Sequence, residues 1–345
     1  MDTLHKPVLL KEVLEYLNPQ KGQNFIDCTL GGGGHTNAIL ERVVPDGKVL
    51  AIDLDKEAIK NYELRIKNQE LRENLVLVND NFVNLEKIIS EHNFSSVNGI
   101  IVDFGFSSDQ IEDGSKGFSF LREGPLDMRF GGRRSDVGGR MSDVGGRMSD
   151  VGGRRSDVGC QKSLTAEEII NQWSSKELET IFREYGEEWM ASKIASRIIE
   201  ERKKNRIKTT LQLVSIIEKV KHRRGKISPA TKVFQALRIA VNNELENIKN
   251  FLPQAVNSLS SGGRLAVITF HSLEDRIVKY FFKSIALNNH TCRAGRIPFA
   301  NADGVSVEKT GLIKIINKKV IKVEYQKIRE NPRARSAKLR VIEKI

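Results

Sequence analysis

Apolar positions recur in two rhythms along the first hundred residues of this chain. Short apolar runs form one of them: Asn24-Phe25-Ile26, Gly47-Lys48-Val49-Leu50-Ala51-Ile52-Asp53, Asn74-Leu75-Val76-Leu77-Val78-Asn79 and Gly99-Ile100-Ile101-Val102-Asp103. Between them, apolar residues return every third or fourth position. Val8, Leu9, Val13, Leu14 and Leu17 share one face of a helix predicted over residues 5–18. Thr36–Val44 predicts a second helix. Asp55 is placed to cap a third through Ala58, Ile59 and Leu64, and Leu85, Ile88 and Ile89 mark a fourth. Continuous apolar strands alternating with helices predict a parallel sheet covered on both faces.

Beyond residue 109 the rhythm changes. A loop rich in glycine and charge leads to Ser135-Asp136-Val137-Gly138-Gly139-Arg140, which recurs from Ser142 and Ser149 and, with a changed end, from Ser156. Each unit carries two glycines and one small apolar residue, so it offers no coiled-coil seam. Such a composition predicts a disordered loop near 131–162, a tandem duplication tolerated at the surface. Helical spacing then returns. Thr165 and Glu168 are spaced as a capping box before Ile169-Ile170. Further helices are expected from Lys176 to Tyr185, stopped at Gly186, over 187–204, and from Leu211 to Val220. Residues 110–227 are therefore expected to be a mostly helical insertion between a first part (1–109) and a second part (228–345) of one α/β domain.

In that second part, Ser228-Pro229 starts a helix with Phe234, Leu237, Val241, Leu245 and Ile248 on one face. Gly262-Gly263 ends the helical region and Arg264–Phe270 is a fifth strand. Ser272 and Asp275 are spaced to cap the next helix. Short strands are expected around Ile313–Ile316, Val320–Val323 and Leu339–Ile342.

Composition narrows the class. The 345 residues are 39% hydrophobic and 29% charged, enough to bury a core. No apolar run approaches the ~18 residues of a membrane span, and the N-terminus lacks a charged-then-apolar signal pattern. Cys28, Cys160 and Cys292 form no Cys-x-x-Cys pair, so no disulfide framework and no metal site are expected, and a reducing cytoplasm fits. The formal charge is +12. Arg197–Lys232 holds twelve Lys/Arg against three Asp/Glu, and Gln326–Ile345 seven against two. Two basic blocks favour a polyanion, above all nucleic acid, as partner.

The candidate chemistry centres on Asp27-Cys28-Thr29-Leu30-Gly31-Gly32-Gly33-Gly34-His35, between the first strand and its helix. Strand, glycine turn and helix form a nucleotide-binding unit. The dinucleotide fingerprint Gly-x-Gly-x-x-Gly fails here: its sixth position is Thr36 counted from Gly31 and Asn37 counted from Gly32. An S-adenosylmethionine enzyme tolerates the shorter signature. Asp53, at the end of the second strand, is the expected ribose ligand for either cofactor, since a carboxylate accepts from both hydroxyls.

Longer motifs then carry a resemblance over nearly the whole chain. They are His5-Lys6-Pro7-Val8-Leu9, the Gly31–His35 loop, Asp103-Phe104-Gly105-Phe106-Ser107-Ser108-Asp109-Gln110, Gly117-Phe118-Ser119-Phe120 and Gly124-Pro125-Leu126-Asp127-Met128-Arg129. Further on come Phe234-Gln235-Ala236-Leu237-Arg238-Ile239, Phe270-His271-Ser272-Leu273-Glu274-Asp275-Arg276 and Asn331-Pro332-Arg333-Ala334-Arg335-Ser336-Ala337-Lys338-Leu339-Arg340. The chain resembles the bacterial 16S rRNA (cytosine-N4)-methyltransferase family, RsmH (MraW). The resemblance implies a class I (Rossmann-like) S-adenosylmethionine-dependent methyltransferase sheet with an inserted mostly helical domain. It implies methyl transfer to the N4 amine of a cytidine in the decoding region of 16S rRNA, within the small ribosomal subunit. It places Gly33, Gly34 and His35 at the methionine end of S-adenosyl-L-methionine, Asp53 at the ribose, Phe82 beside the adenine, and Asp103 with Gln110 after the fourth strand.

Three departures stand out. The repeat replaces a short link, Ser228 stands where the pattern has a histidine, and Phe104 and Phe106 replace smaller aliphatic residues. No Pro-Pro-Tyr follows Asp103, which argues against a DNA amino-methyltransferase. Asp103, Ser107, Ser108 and His271 are the candidates to lie near the target amine, with Asp103 expected to bind the cofactor first and assist the amine second. The target base must be unpaired or extruded. The helical insertion and Arg333, Arg335 and Arg340 of the tail are expected to grip the RNA backbone. A methyltransferase with another substrate and a non-catalytic RNA-binding or ribosome-assembly protein are the alternatives, and a homodimer is left open.

Overall fold

The computed structural model describes residues 7–105, 114–130, 164–222, 228–286, 313–323 and 332–345. The repeat stretch, Phe106, Ser107, Ser108 and Gln110 lie outside them. Two compact units emerge. One joins Met1–Asp113 to Asn243–Ile345; the other, Gly114–Asn242, is inserted between those two segments.

The first unit is built on a sheet of β1 (Asn24–Asp27), β2 (Val49–Ile52), β3 (Leu75–Val78), β4 (Val97–Asp103), β5 (Leu259–Thr269), β6 (Ile313–Ile315), β7 (Ile321–Lys322) and β8 (Lys338–Lys344). The strand order is β3-β2-β1-β4-β5-β8-β6, with β7 beside β8. The first five strands run parallel, and β8 is antiparallel to β5, β6 and β7. Helices α1 (Leu10–Leu17), α2 (Gly34–Val43), α3 (Lys56–Arg65), α4 (Gln69–Glu73) and α5 (Leu85–Glu91) intersperse the first four strands. Alternate side chains of a strand leave it on opposite faces. Hence the apolar runs divide between two cores. Ile26, Leu50, Ile52, Ile100, Val102 and Val267 pack with Leu85 and Ile88 of α5. Phe25, Val49, Ile101, Ala266 and Ile268 pack with Val13, Ile39 and Leu40 of α1 and α2.

The inserted unit is helical: α6 (Ala166–Gln172), α7 (Ser175–Glu184), α8 (Ala191–Lys204), α9 (Thr210–Val220) and α10 (Thr231–Asn242). The Thr165/Glu168 capping box is present, and Ser174/Glu177 and Thr209/Gln212 form two more. The sheet unit then resumes with α11 (Glu244–Ser258) and, after β5, α12 (Ser272–Ile285). This is the expected Rossmann-like sheet with a mostly helical insertion.

Four boundaries move. The insertion ends at residue 242, not 227. The physical reason is α10, which docks within the helical unit: Gln235 Nε2 donates to the Tyr185 carbonyl at 2.9 Å, Asn242 Nδ2 to the Met128 carbonyl at 2.8 Å, and Phe234 meets Phe120 edge-on. The helix read through Phe234 and Ile248 is two helices, broken at Asn243, whose φ is 50°. Helix α8 starts at Ala191 rather than 187, because Glu187 takes a positive φ of 49°. Strand β5 begins at Leu259, five residues before Arg264, and accommodates Gly262 at φ 76°.

Candidate active site at the carboxyl ends of the sheet

In an open parallel sheet, ligands bind beyond the C-terminal strand ends. In this chain those ends carry Asp27, Asp53 and Asp103, and hydrogen bonds knit them to the glycine loop. Asp27 is 1% exposed. Its Oδ1 accepts the Thr29 amide N–H at 3.0 Å and its Oδ2 the Thr36 hydroxyl at 2.7 Å. Asp53 Oδ2 accepts the Gly31 N–H and its Oδ1 the Asp55 N–H, both at 2.8 Å. The Asp103 amide donates to Thr29 Oγ1 at 2.7 Å, and Asp103 Oδ1 accepts the Gly105 N–H at 3.0 Å. Strands β1, β2 and β4 thus hold the loop from three sides.

Burial dominates the electrostatics. It lifts Asp27 and Asp53 above the usual carboxylate range, against the hydrogen bonds that each accepts. It carries Asp103 furthest, to about 7, opposed by the Gly105 N–H and reinforced by the charges of Asp27 and Glu274. An ionised carboxylate has about four lone-pair positions, so Asp53 retains acceptor capacity for a ribose after its two backbone bonds.

The loop's glycines have two different causes. Gly33 has φ +76°, and a Cβ there would stand 2.0 Å from the Tyr62 ring; one at Gly34 would meet Pro7 at 2.7 Å. These two positions are glycine because the protein packs its own side chains against them. Gly31, at φ +48°, has only the Thr29 carbonyl oxygen near, at 3.9 Å, so the approach to the backbone is open there. Tyr62 is fixed in turn by its hydroxyl, which donates to Asn37 Oδ1 at 2.5 Å. His35 is buried, with Nε2 3.0 Å from the Val8 carbonyl. Its ring ties the first turn of α2 to the segment before α1, which fixes the end of the glycine loop where the family resemblance sets the methionine end of the cofactor.

Phe82 opens a short turn after β3 and is partly buried, with ring centroids 5.7 Å from Phe104 and 5.2 Å from Phe251. Core packing and an aromatic wall coincide in this residue. Gln110, Ser107 and Ser108 fall outside the described residues; of the expected set, Gly33, Gly34 and His35 lie on the loop that hydrogen bonds tie to Asp53 and Asp103, and Phe82 packs beside Phe104.

At the end of β5, His271 caps α12 in place of the Ser272/Asp275 pair. Its Nδ1 accepts the Glu274 N–H at 3.3 Å, and Glu274 Oε2 accepts the amides of Phe270 and His271 at 2.7 and 3.2 Å. His271 Nε2 approaches Glu274 Oε1 at 2.9 Å, off-line for a hydrogen bond. With Glu244 the three groups bring ligand-type atoms within 4.8 Å of one another, where no metal-ligating cluster was expected from the sequence. His271 Nδ1 and Glu274 Oε2 already accept the amides of the cap, which leaves His271 Nε2 and Glu274 Oε1 outside it. The residues missed by sequence were Asp27, Glu244 and Glu274. Asp27-x-Thr29 at a strand end and His271-x-x-Glu274 at a helix start were their local signals.

Of the three tail arginines, Arg340 is engaged within the chain. Arg340 Nε and Nη2 bind Asp275 Oδ1 and Oδ2 at 2.7 and 3.2 Å, and Lys338 Nζ stands 3.4 Å from Oδ2. Burial works against the Asp275 charge, but Arg340 and Lys338 outweigh it and hold the carboxyl below its usual value. Arg340 therefore fastens β8 to α12 instead of presenting its charge to RNA. Arg335 is exposed. Among the described residues, no helix is long and apolar enough to cross a membrane.

Comparison with known proteins agrees with this architecture. The profile of the MraW methylase family matches residues 2–136 and 158–345, on either side of a gap within the repeat stretch. Proteins named ribosomal RNA small subunit methyltransferase H are similar end to end. The one from Halothermothrix orenii is 42% identical over 344 residues, 99% of this chain and 98% of its own. Those from Dictyoglomus thermophilum and Clostridium botulinum are 41% and 39% identical, covering 100% of this chain and 98% and 100% of theirs. The chain belongs to the MraW methylase family.

Proposed function

We propose that this protein transfers a methyl group from S-adenosyl-L-methionine to the exocyclic N4 of a cytidine in the decoding region of 16S rRNA, on the small subunit in the cytoplasm. The observation that carries the proposal is Asp103: a buried carboxylate at the end of the central strand β4, tied to the glycine loop through Thr29 and held at about 7. The residues fit the cofactor. Asp53 has acceptor capacity left for the ribose, Phe82 offers a flat apolar face for the adenine, and Gly31 leaves the loop backbone open. Gly33 and Gly34 shape that loop, and Gln110 completes the set by family position. When bound, the cofactor supplies an electrophilic methyl on a positively charged sulfur.

The protein's own part is to orient the amine. The N4 lone pair is delocalised into the cytosine ring, so the amine must be held in line and its hydrogen bonds accepted. Asp103 accepts one N4–H. The nitrogen gains a methyl and loses a proton, and Asp103, poised near neutrality, receives that proton. The test is labelled methyl transfer to small subunits lacking the modification, followed by nucleoside analysis. Label is expected on N4 of one cytidine. Asp103→Asn is expected to lower turnover by about 100-fold or more, in the range of a lost general base. Label on another nucleoside, or none with cofactor bound, refutes the assignment; the latter outcome is that of a ribosome-assembly protein.

A further inference from the structure

Trp189 is 73% exposed, although it is one of only two tryptophans in the chain. A large ring on a loose loop folds back onto the nearest apolar surface. The segment that carries Trp189 is not loose. Gly186, just before it, is backed by the Lys232 carbonyl, 2.6 Å from where a Cβ would stand. Lys232 Nζ donates to the Glu187 carbonyl at 2.6 Å. Glu188 is buried; its amide donates to the Phe182 carbonyl at 3.0 Å, its Oε1 accepts the Met190 N–H at 3.1 Å, and its Oε2 stands 2.5 Å from Lys221 Nζ. Residues on both sides of Trp189 are therefore pinned. Desolvating an ion pair is costly, and here it fixes a turn that presents a bare aromatic ring.

The surroundings identify what the ring faces. The ammonium groups of Lys221 and Lys232 end on the two residues that precede it, and the exposed Lys193 follows one helical turn later. This turn and the block Arg197–Lys232, twelve Lys/Arg against three Asp/Glu, lie in the same unit. A protein partner asks for a contiguous apolar patch. The other exposed large apolar side chains described in this unit, Leu121, Leu164 and Leu211, come from different segments. A flat aromatic ring beside ammonium groups suits an unpaired nucleotide, whose base stacks while its phosphates meet the cations.

We propose that Trp189 is a stacking platform for an unpaired base of the RNA substrate, with Lys193 and Lys232 serving the adjoining phosphates. The proposal rests on the RNA-methylating function above and adds a contact outside the sheet unit. Stacking on one aromatic is worth about 1–3 kcal/mol per base, or roughly 5- to 150-fold in affinity. Filter binding of the full-length protein to a 16S rRNA fragment is therefore expected to weaken by at least 5-fold in Trp189→Ala and to recover largely in Trp189→Phe. Affinity for S-adenosylmethionine by calorimetry stays unchanged. In a Trp173→Phe background, the remaining tryptophan emission is expected to fall saturably on titration with a single-stranded RNA oligonucleotide. Unchanged RNA affinity in Trp189→Ala, with wild type still binding and methylating RNA, overturns this proposal alone. Quenching that follows protein concentration without RNA assigns the ring to a second copy and also overturns it. Failure of the wild type to bind RNA overturns both this proposal and the function it rests on.

Discussion

The strand-end acids of the sheet unit and the ion-paired acids of the helical unit are held in opposite ways. Asp27, Asp53 and Asp103 sit at strand ends and are bound by backbone amides and hydroxyls, and burial raises all three. In the helical unit, Glu167, Glu179, Glu188 and Glu201 are bound by Arg206, Arg183, Lys221 and a cluster of Arg197, Lys204 and Lys219. Amide and hydroxyl donors favour the anion, but at the strand ends burial outweighs them, whereas a neighbouring cation adds a full charge in favour of the anion. The acids that burial raises therefore lie at the strand ends, and the ion-paired acids of the helical unit act as fasteners. It follows that five cations of the basic block, Arg197, Lys204, Arg206, Lys219 and Lys221, are ion-paired at home, and fewer of its charges remain for a polyanion than the sequence count implies.

The sharpest way to break this comparison is Asp103→Asn, read as stability against pH. The folded-state value of about 7 lies above the ordinary 3.8. The native protein thus holds a proton that the unfolded chain has released, and stability falls as pH rises from about 4 through 7. Three units correspond to about 4 kcal/mol as an upper figure. The asparagine keeps the oxygen that accepts the Gly105 N–H and removes the charge. Denaturant unfolding is expected to find it equal to wild type near pH 4 and more stable by about 2–4 kcal/mol at pH 8. A variant less stable at pH 8 would show that the carboxylate is held as an anion after all. The loss of turnover beside the gain in stability is the mark of an active-site acid.

Glu188→Gln tests the other side. Removing one partner of a buried ion pair typically costs 3–5 kcal/mol. Lys221 is 22% exposed and can turn to solvent, which places the expected loss at about 3 kcal/mol by chemical denaturation. The same variant loosens the turn under Trp189, so its emission anisotropy should fall. An unchanged midpoint would mean that the pair is not what fixes this turn.

Legibility in the sequence follows from how local each cause is. The strands were readable because each apolar run feeds two cores at once, and Asp53 and Asp103 because an acid ending such a run has nowhere to be but a strand end. The break at Asn243 was not, since apolar spacing continues across it and a left-handed asparagine leaves no periodic mark. The His271 cap was misread by one residue because histidine is an unusual N-cap. Gly33 and Gly34 were read as room for a ligand, and the bodies that demand them, Tyr62 and Pro7, lie 29 and 27 residues away in the chain. Arg340 was read as one of the tail cations that grip the RNA backbone; its partner Asp275 is 65 residues distant. Positions fixed by strand ends and caps are visible locally, whereas those fixed by a remote partner are not.

The smallest expected effect sharpens the contrast between fasteners. Glu201 collects Arg197 at 2.9 Å, Lys219 at 3.3 Å and Lys204 at 3.8 Å. The hydrogen bond from Lys219, with the neighbouring charges, holds its carboxyl below the usual range. A depressed acid contributes stability that is present above its unfolded value and lost as pH falls through the folded one, the reverse of Asp103. Solvent and salt screen such surface pairs. Glu201→Gln is therefore expected to lower the melting temperature slightly at pH 7 and low ionic strength, and not at all in about 0.5 M salt. The change should also vanish toward pH 3. Because the substitution frees Lys204 and Lys219, while Arg197 keeps Glu200 at 3.1 Å, RNA affinity is expected to rise at low salt and its salt dependence to steepen. A melting-temperature loss that persists in high salt would place Glu201 with Glu188 as a buried fastener and remove the distinction drawn between them.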